Sequence, residues 1–150
     1  MSHARQQIRD EIVNILTVYP VSATVVPSRI WIVQPAELPM IGVYTNAEEV
    51  SLDDGASMGG PGDLARGLTV SFDVVVQTST GSPGADLLDT LAEEIEEALG
   101  TERQLLGVMD LLPASMDIEQ TMEGDNITSR MTLNYLCIYR TEVGLPQVIT

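Results

Sequence analysis

The chain has 150 residues, a formal net charge of −15 and a single cysteine, Cys137. This length predicts one domain with its own core, and one cysteine excludes an internal disulfide and fits a reducing compartment. All the basic residues are Arg, and the strongly acidic balance has the wrong sign for wrapping nucleic-acid phosphates. Two interpretations of the acidity stay open: it keeps the protein soluble, or it lets the surface sit near DNA without holding it.

No run of 18 apolar residues predicts a membrane span, and the polar N-terminus lacks the apolar core of a signal peptide. We therefore expect the protein to be made in the cytosol. Residues 3–19 have the spacing of an amphipathic helix, with Ser2 as its predicted cap and Pro20 ending it. Its apolar face comprises Ala4, Ile8, Ile12, Ile15, Leu16 and Tyr19.

Residue types predict a first strand over 29–33, which contains the only Trp, and a second over 38–45. Pro39 cannot donate a ladder hydrogen bond, so it marks either the first residue of this strand or an edge. Residues 46–66 are predicted to form a long mobile loop, because they combine acidic side chains with the run Gly59-Gly60-Pro61-Gly62. The acids of this segment cluster before the glycines, with only Asp63 after them, and Arg66 follows the run. We expect each end of the loop to offer a charge to a partner.

Residues 67–78 alternate as a strand that is apolar on one face and exposed and polar on the other. Residues 85–99 form the clearest predicted helix, with a solvated acidic face and Gly100 as its exit. The patterns at 114–122 and 127–141 predict a hairpin turning at 123–126, with Cys137 on the apolar face. The tail, 143–150, is expected to pack either on this subunit or on a neighbour.

The sequence predicts no catalytic, metal or cofactor site, and hence no enzyme. His3 lies at the start of a helix, Cys137 has the place of a small buried hydrophobe, and the carboxylates lie on solvated faces. We find no Ser-His-Asp set, no metal-spaced cluster and no phosphate-binding loop.

Four stretches in this order resemble the tail terminator proteins of long-tailed phages. They are the N-terminal helix, Leu38-Pro39-Met40-Ile41-Gly42-Val43-Tyr44-Thr45, an acidic stretch followed by a long strand and the helix at 87–96, and the closing strand at 131–139. The second is similar to a family "(F/L)PA(I/V)xVY" strand, from which Met40 and Gly42 depart mildly. The resemblance covers nearly the whole chain.

This resemblance implies an α+β fold, with a mixed, mainly antiparallel sheet and two amphipathic helices packed against it. It implies a homo-hexameric ring at the head-proximal end of the tail tube, located in the virion's tail–neck region after assembly in the host cytoplasm. The ring would stop tube polymerisation and provide the surface for head–tail joining. Its partners would be further copies of itself, the tail tube protein and head connector or neck proteins, with DNA passing through the lumen.

Two alternatives stay open: a head-completion or neck protein of the same phage, and a small α+β regulator that binds a ligand. A closed ring of about six copies favours the terminator, whereas a monomer or dimer favours the regulator. Our candidate contacts with the tail tube or a neighbouring subunit lie around the predicted loop and in the tail. They are Glu48, Glu49, Asp53, Asp54, Arg66, Leu145 and Val148.

Overall fold

A computed structural model describes residues 2–19, 21–30, 38–52, 62–79, 84–101, 104–105 and 109–149. Its helices are α1 (Ala4–Val18) and α2 (Gly84–Thr101). Its strands are β1 (Thr24–Val26), β2 (Met40–Leu52), β3 (Asp63–Ser79), β4 (Gln104–Leu105), β5 (Met109–Glu123), β6 (Asn126–Glu142) and β7 (Leu145–Ile149).

The strands form one sheet in the order β1-β2-β3-β6-β5-β4, with β7 paired to β6. Only the β1–β2 pair is parallel among the described strands, and every other pair is antiparallel. Both helices share the hydrophobic core with one face of this sheet, which we call the helix face. The predicted α+β class, with a mainly antiparallel sheet and two packed helices, is confirmed.

The core lies between the helices and the alternating side chains of β3 and β6. Leu68, Val70 and Phe72 of β3 are at most 1% exposed, and Phe72 meets Tyr135 edge to face with ring centroids 5.3 Å apart. Cys137 is fully buried in the same layer, as its place in the alternation predicts. The β5–β6 hairpin turns at Gly124, where φ is +61°, a conformation that glycine adopts without strain.

Several predicted boundaries were wrong. Residues 29 and 30 of the strand expected over 29–33 lie outside any strand, and 31–33 lie outside the described residues; the strand before β2 is β1 at Thr24–Val26. His3, not Ser2, caps α1, because its ring Nδ1 accepts from the Arg5 backbone N–H at 3.2 Å. Helix α2 continues through Gly100 to Thr101.

The second face of β3 is not exposed where it was predicted to be. Ser71, Asp73 and Val75 are at most 1% exposed. The chain after β1 folds back over Asp73 and Val75. Ile30 packs there against Met40 and Val75. Gly42 allows this close approach, since a Cβ at that position would collide with the carbonyl oxygen of Ser28.

The loop predicted over 46–66 was also wrong at both ends. Residues 46–52 belong to β2 and residues 63–66 to β3, and the two strands stay paired out to Leu52 and Leu64. The polar side chains that suggested a loop are accommodated in the ladder, since β3 also pairs with β6 along this stretch. Residues 53–61, and the predicted mobility there, lie outside the described residues.

Among the described helices, none is long and apolar enough to cross a membrane.

Candidate assembly surfaces

We call the end of the sheet formed by 47–52 of β2 and 64–69 of β3 the arm; its base, at Leu68, belongs to the core, and its tip carries exposed side chains. It begins at a bulge between Thr45 and Ala47, where the register of the β2–β3 pair shifts by one residue. Val50 and Leu52 are 49% and 65% exposed. They share the helix face with Glu48, because alternate residues of a strand point to the same side. The arm therefore presents apolar side chains that no described part of this chain covers.

A buried polar network holds the base of the arm. Arg66 Nη1 lies 2.7 Å from Glu48 Oε1, and Arg66 Nε donates to Thr141 Oγ1 at 2.7 Å. The Tyr139 hydroxyl donates to Glu48 Oε2, the other oxygen of the same carboxylate. The Glu48 and Arg66 side chains are only 8% and 11% exposed, so the pair is shielded from water. Burial, together with the hydrogen bond and charge of Glu48, raises the pKa of Tyr139.

Two predicted contact residues thus bind each other instead of offering charges to a partner. The physical reason is register: Val50 pairs with Arg66 and Glu48 with Leu68, which places the two ionic side chains side by side on one face. The expectation of a free charge at each end of the loop was wrong for Glu48 and Arg66. Glu49 lies on the opposite face and is exposed, and its contact with a partner stays a prediction. Asp53 and Asp54 lie outside the described residues.

The described part of the tail packs on its own subunit, which is the first of the two predicted alternatives, this subunit or a neighbour. Strand β7 pairs with β6, and Gln7 of α1 donates from Nε2 to the Gln147 carbonyl at 2.8 Å. Ile149 packs against the core. Leu145 is 38% exposed and Val148 is partly buried, and the contact of either residue with a partner stays a prediction.

An apolar groove that we did not predict lies on the face of the sheet opposite the helices. Small residues of the arm form its floor, among them Ala65 and Gly67, and Leu136 and Ile138 of β6 form its wall. Its volume is about 530 Å³. Leu136 and Ile138 are 36% and 44% exposed. The sequence signal was present, because these two residues alternate out of phase with the buried residues of β6.

A polar recess lies farther along the same face. Asp73 Oδ2 accepts from Arg130 Nη1 at 3.2 Å, and the Arg29 guanidinium lies 5.8 Å from the centre of the Tyr44 ring. Burial raises the pKa of the Asp73 carboxyl, and the charge of Arg130 partly opposes that increase. The strands bring these side chains together from distant positions, which the linear sequence could not show.

The exposed carboxylates of Asp117 and Glu119 complete this recess on the β5 side. Across the sheet the charges therefore alternate, from Arg29 through Asp73 and Arg130 to Asp117 and Glu119. Such an arrangement can form ion pairs with a surface that presents the opposite sequence of charges. Within the described residues, no group of three or more His, Cys, Asp or Glu side chains could hold a metal ion.

Comparison with known proteins adds two distant structural likenesses. The chain matches no protein-family model and no curated protein. The sheath/tube terminator of an extracellular contractile injection system (PVC), solved in its extended state, superposes with a TM-score of 0.45 at 9% identity over 89% of this chain. The chain spans 57% of the length of that terminator. A second solved protein, which carries no functional name, gives a TM-score of 0.37 at 13% identity and covers 89% of this chain and 92% of its own. At these TM-scores neither likeness assigns a family or a function.

Proposed function

We propose that this chain is a structural protein of a phage tail, which forms a ring at the head-proximal end of the tail tube. The ring stops tube polymerisation and offers its outer surface to the head connector. The protein works in the tail–neck region of the virion and has no catalytic site or cofactor. The proposal starts from the resemblance of the ordered stretches to tail terminators.

The observation that carries the proposal is the arm. It combines exposed apolar side chains, Val50 and Leu52, with a base fixed by the buried Glu48–Arg66 pair. An apolar surface on a rigid support suits docking onto another protein, because little conformational entropy is lost when it binds. We assign the arm to the end of the tail tube.

The charge of the chain fits the path of the DNA. Six copies at −15 each would give a ring a formal charge of −90. Like charge along the lumen would let DNA pass without binding. Repulsion between subunits opposes assembly and is screened by salt over about 8–10 Å, so the ring population should rise at moderate salt. Firm retention on a DNA column at physiological salt would contradict this part of the proposal.

The test is a tube-capping assay. Purified tail tube protein is allowed to polymerise with and without this chain, and electron microscopy records tube length and labelled chain. The proposal expects shorter tubes with the chain at one end only. A double variant of the arm, Val50→Ser with Leu52→Ser, should fold normally and lose capping. The matched control, Val18→Ser with Tyr19→Ser, changes two similarly exposed side chains at the end of α1, outside both the arm and β5.

Two results would overturn the proposal. Tubes of unchanged length with no bound chain would exclude a terminator. Binding to head connector proteins without any effect on tube length would instead identify a neck protein of the same phage.

A further inference from the structure

We propose that a second copy of this chain docks edge to edge, with its β1 lying antiparallel beside β5 of the first copy. The sheet would then continue from copy to copy with all helices on the same side. This inference deepens the proposed function and rests on it, since a closed ring needs a contact between two different surfaces of the chain.

Within the described part of the chain, most of the β5 edge has no neighbouring strand. On one side β5 pairs with β6 from Asp110 to Glu123. On the other side, β4 covers only Met109 and Asp110 among the described residues. The described side chains from 112 to 122 are exposed. Unpaired backbone N–H and C=O groups along such an edge are a template for another strand.

The opposite edge of the sheet is stepped in the complementary way. There β1 covers Met40 to Gly42, and β2 has no described neighbour on that side from Val43 to Leu52. Each copy thus has two stepped edges. One edge protrudes where β1 is present, and the opposite edge protrudes where β4 is present.

The register shows that the two protrusions lie at different levels. Gly42 pairs with Asp73, Asp73 with Thr132, and Thr132 with Asp117, so Gly42 and Asp117 lie at the same height across the sheet. Strand β1, which pairs with Gly42, therefore extends one edge at the height where β5 has no described neighbour on the other edge. Strand β4 protrudes at the level of the arm, because Asp110, its neighbour, pairs with Ile138. A second copy placed at the same height would therefore fit β1 against bare β5 and β4 against bare β2.

Strand direction agrees with this placement. Strand β1 runs parallel to β2, and each following pair from β2 through β3 and β6 to β5 is antiparallel. Hence β1 and β5 run in opposite directions, and β1 of the next copy would meet β5 as an antiparallel neighbour. The sheet would keep the same face toward the helices, as a head-to-tail ring requires.

Charge selects a second copy as the occupant of this edge. On the face opposite the helices, the β5 edge carries the exposed residues Asp117 and Glu119, whereas the exposed residue Arg29 lies on the β1 side, with its guanidinium over the Tyr44 ring. The docked copy would place Arg29 beside the two carboxylates. This local pairing opposes the general repulsion between two chains of charge −15.

Apolar side chains meet on the helix face of the same junction. Ile118 is 43% exposed. It pairs with Met131, Met131 pairs with Val74, and Val74 pairs with Ile41, so Ile118 and Ile41 lie at the same height across the sheet. Because Val25 is the β1 partner of Ile41, Val25 of the docked copy would lie beside Ile118. Covering Ile118 removes apolar surface from water and favours the contact.

The experiment is a charge swap read by sedimentation velocity and native mass spectrometry of the full chain. One variant carries Arg29→Glu, and the other carries Asp117→Arg with Glu119→Arg. Each alone should assemble at least tenfold more weakly than the wild type, and an equimolar mixture should regain assembly with the two variants in alternation. The matched control for the second variant is Asp89→Arg with Glu93→Arg on α2. It makes the same charge change on exposed helix residues and should assemble at least as well as the wild type.

Thermal unfolding of each variant checks that the fold is kept. Failure of the mixture to regain assembly, or a wild type that stays monomeric up to millimolar concentration, would overturn the edge contact. Tube capping is measured on the same variants, which separates the two proposals. If swapped variants assemble and cap like the wild type, the edge contact is wrong and the terminator function stands. If the wild type assembles through these residues but never caps a tube, the function is wrong and the edge contact stands.

Discussion

Glu48 and Arg66 lie 2.7 Å apart on neighbouring strands, in a part of the sequence whose composition suggests a loop. Their pairing explains how residues 46–52 and 63–66, which the composition assigns to that loop, extend two strands of the sheet. Both side chains are largely withdrawn from water, and Thr141 and Tyr139 provide further hydrogen bonds to them.

Glu48→Gln should therefore destabilise the fold. It leaves the Arg66 guanidinium without its carboxylate in a shielded site, which costs about 2–3 kcal/mol, somewhat below the range for fully buried pairs. Chemical denaturation measures the change. Glu49→Gln, one residue along and exposed, is the control and should stay within about 0.5 kcal/mol of the wild type. Equal effects of the two substitutions would show that the pair does not stabilise the arm.

Gly42→Ala should be destabilising by about 1–3 kcal/mol, because the new methyl group collides with the Ser28 backbone and crowds Ile30. Gly67→Ala supplies the comparison within the same sheet. A Cβ there would meet only Leu136 Cδ1, at an ordinary contact distance of 3.6 Å. A Gly42→Ala protein as stable as the Gly67→Ala protein would mean that the segment after β1 does not press on β2.

Asp73 should make the stability depend on pH in the direction opposite to that of an ordinary paired carboxylate. Its folded pKa is raised, chiefly by burial, so the folded state holds the proton more tightly than the unfolded state. Its stabilising contribution is then complete below the unfolded pKa and is lost as pH rises through the folded pKa. A tenfold difference in proton affinity between the two states corresponds to about 1.4 kcal/mol of stability.

The measurement compares the wild type with Asp73→Asn by urea denaturation from acid to neutral pH. The wild type should lose stability relative to the variant as pH rises across that window. A relative gain of the wild type with rising pH would mean that the Arg130 charge outweighs burial.

The mobility of residues 53–61 and their ordering on a partner stay predictions, since these residues lie outside the described part of the chain. We expect it to order only on the tube or on an adjacent subunit, because the ordering entropy then weakens premature association. Shortening 55–62 should leave thermal stability unchanged and abolish the joining of tails to heads. Normal stability together with normal joining would contradict this role, and would leave a plain connection between β2 and β3.

Local pattern was sufficient for the parts of the fold that repeat a simple period. The alternation of Leu68 to Val76, the stripe of α2 and the turn at Gly124 each determine their own element. Where the prediction failed, contacts distant in sequence decide the structure. Strand β1 is held by pairing with β2, and Asp73 and Val75 are covered by a segment some 40 residues earlier in the chain.

The candidate contact residues show the same division. Exposed Glu49 and Leu145 could be chosen from the sequence, because surface position follows from local charge and from the end of a strand. The burial of Glu48 with Arg66 could not, since it depends on the register of β2 against β3 beyond the bulge at Thr45. The recess around Asp73 and the groove beside Leu136 likewise exist only after several strands are aligned.

The central claim is that this chain ends the growth of a tail tube, and tube length in the absence of the chain tests it most directly. Silencing its gene in the producing phage and measuring tails by electron microscopy should give tubes that exceed the normal length and lack heads. Supplying the wild-type chain should restore a single length, whereas the Val50→Ser, Leu52→Ser variant should not. Tails of normal, uniform length without the chain would contradict the account.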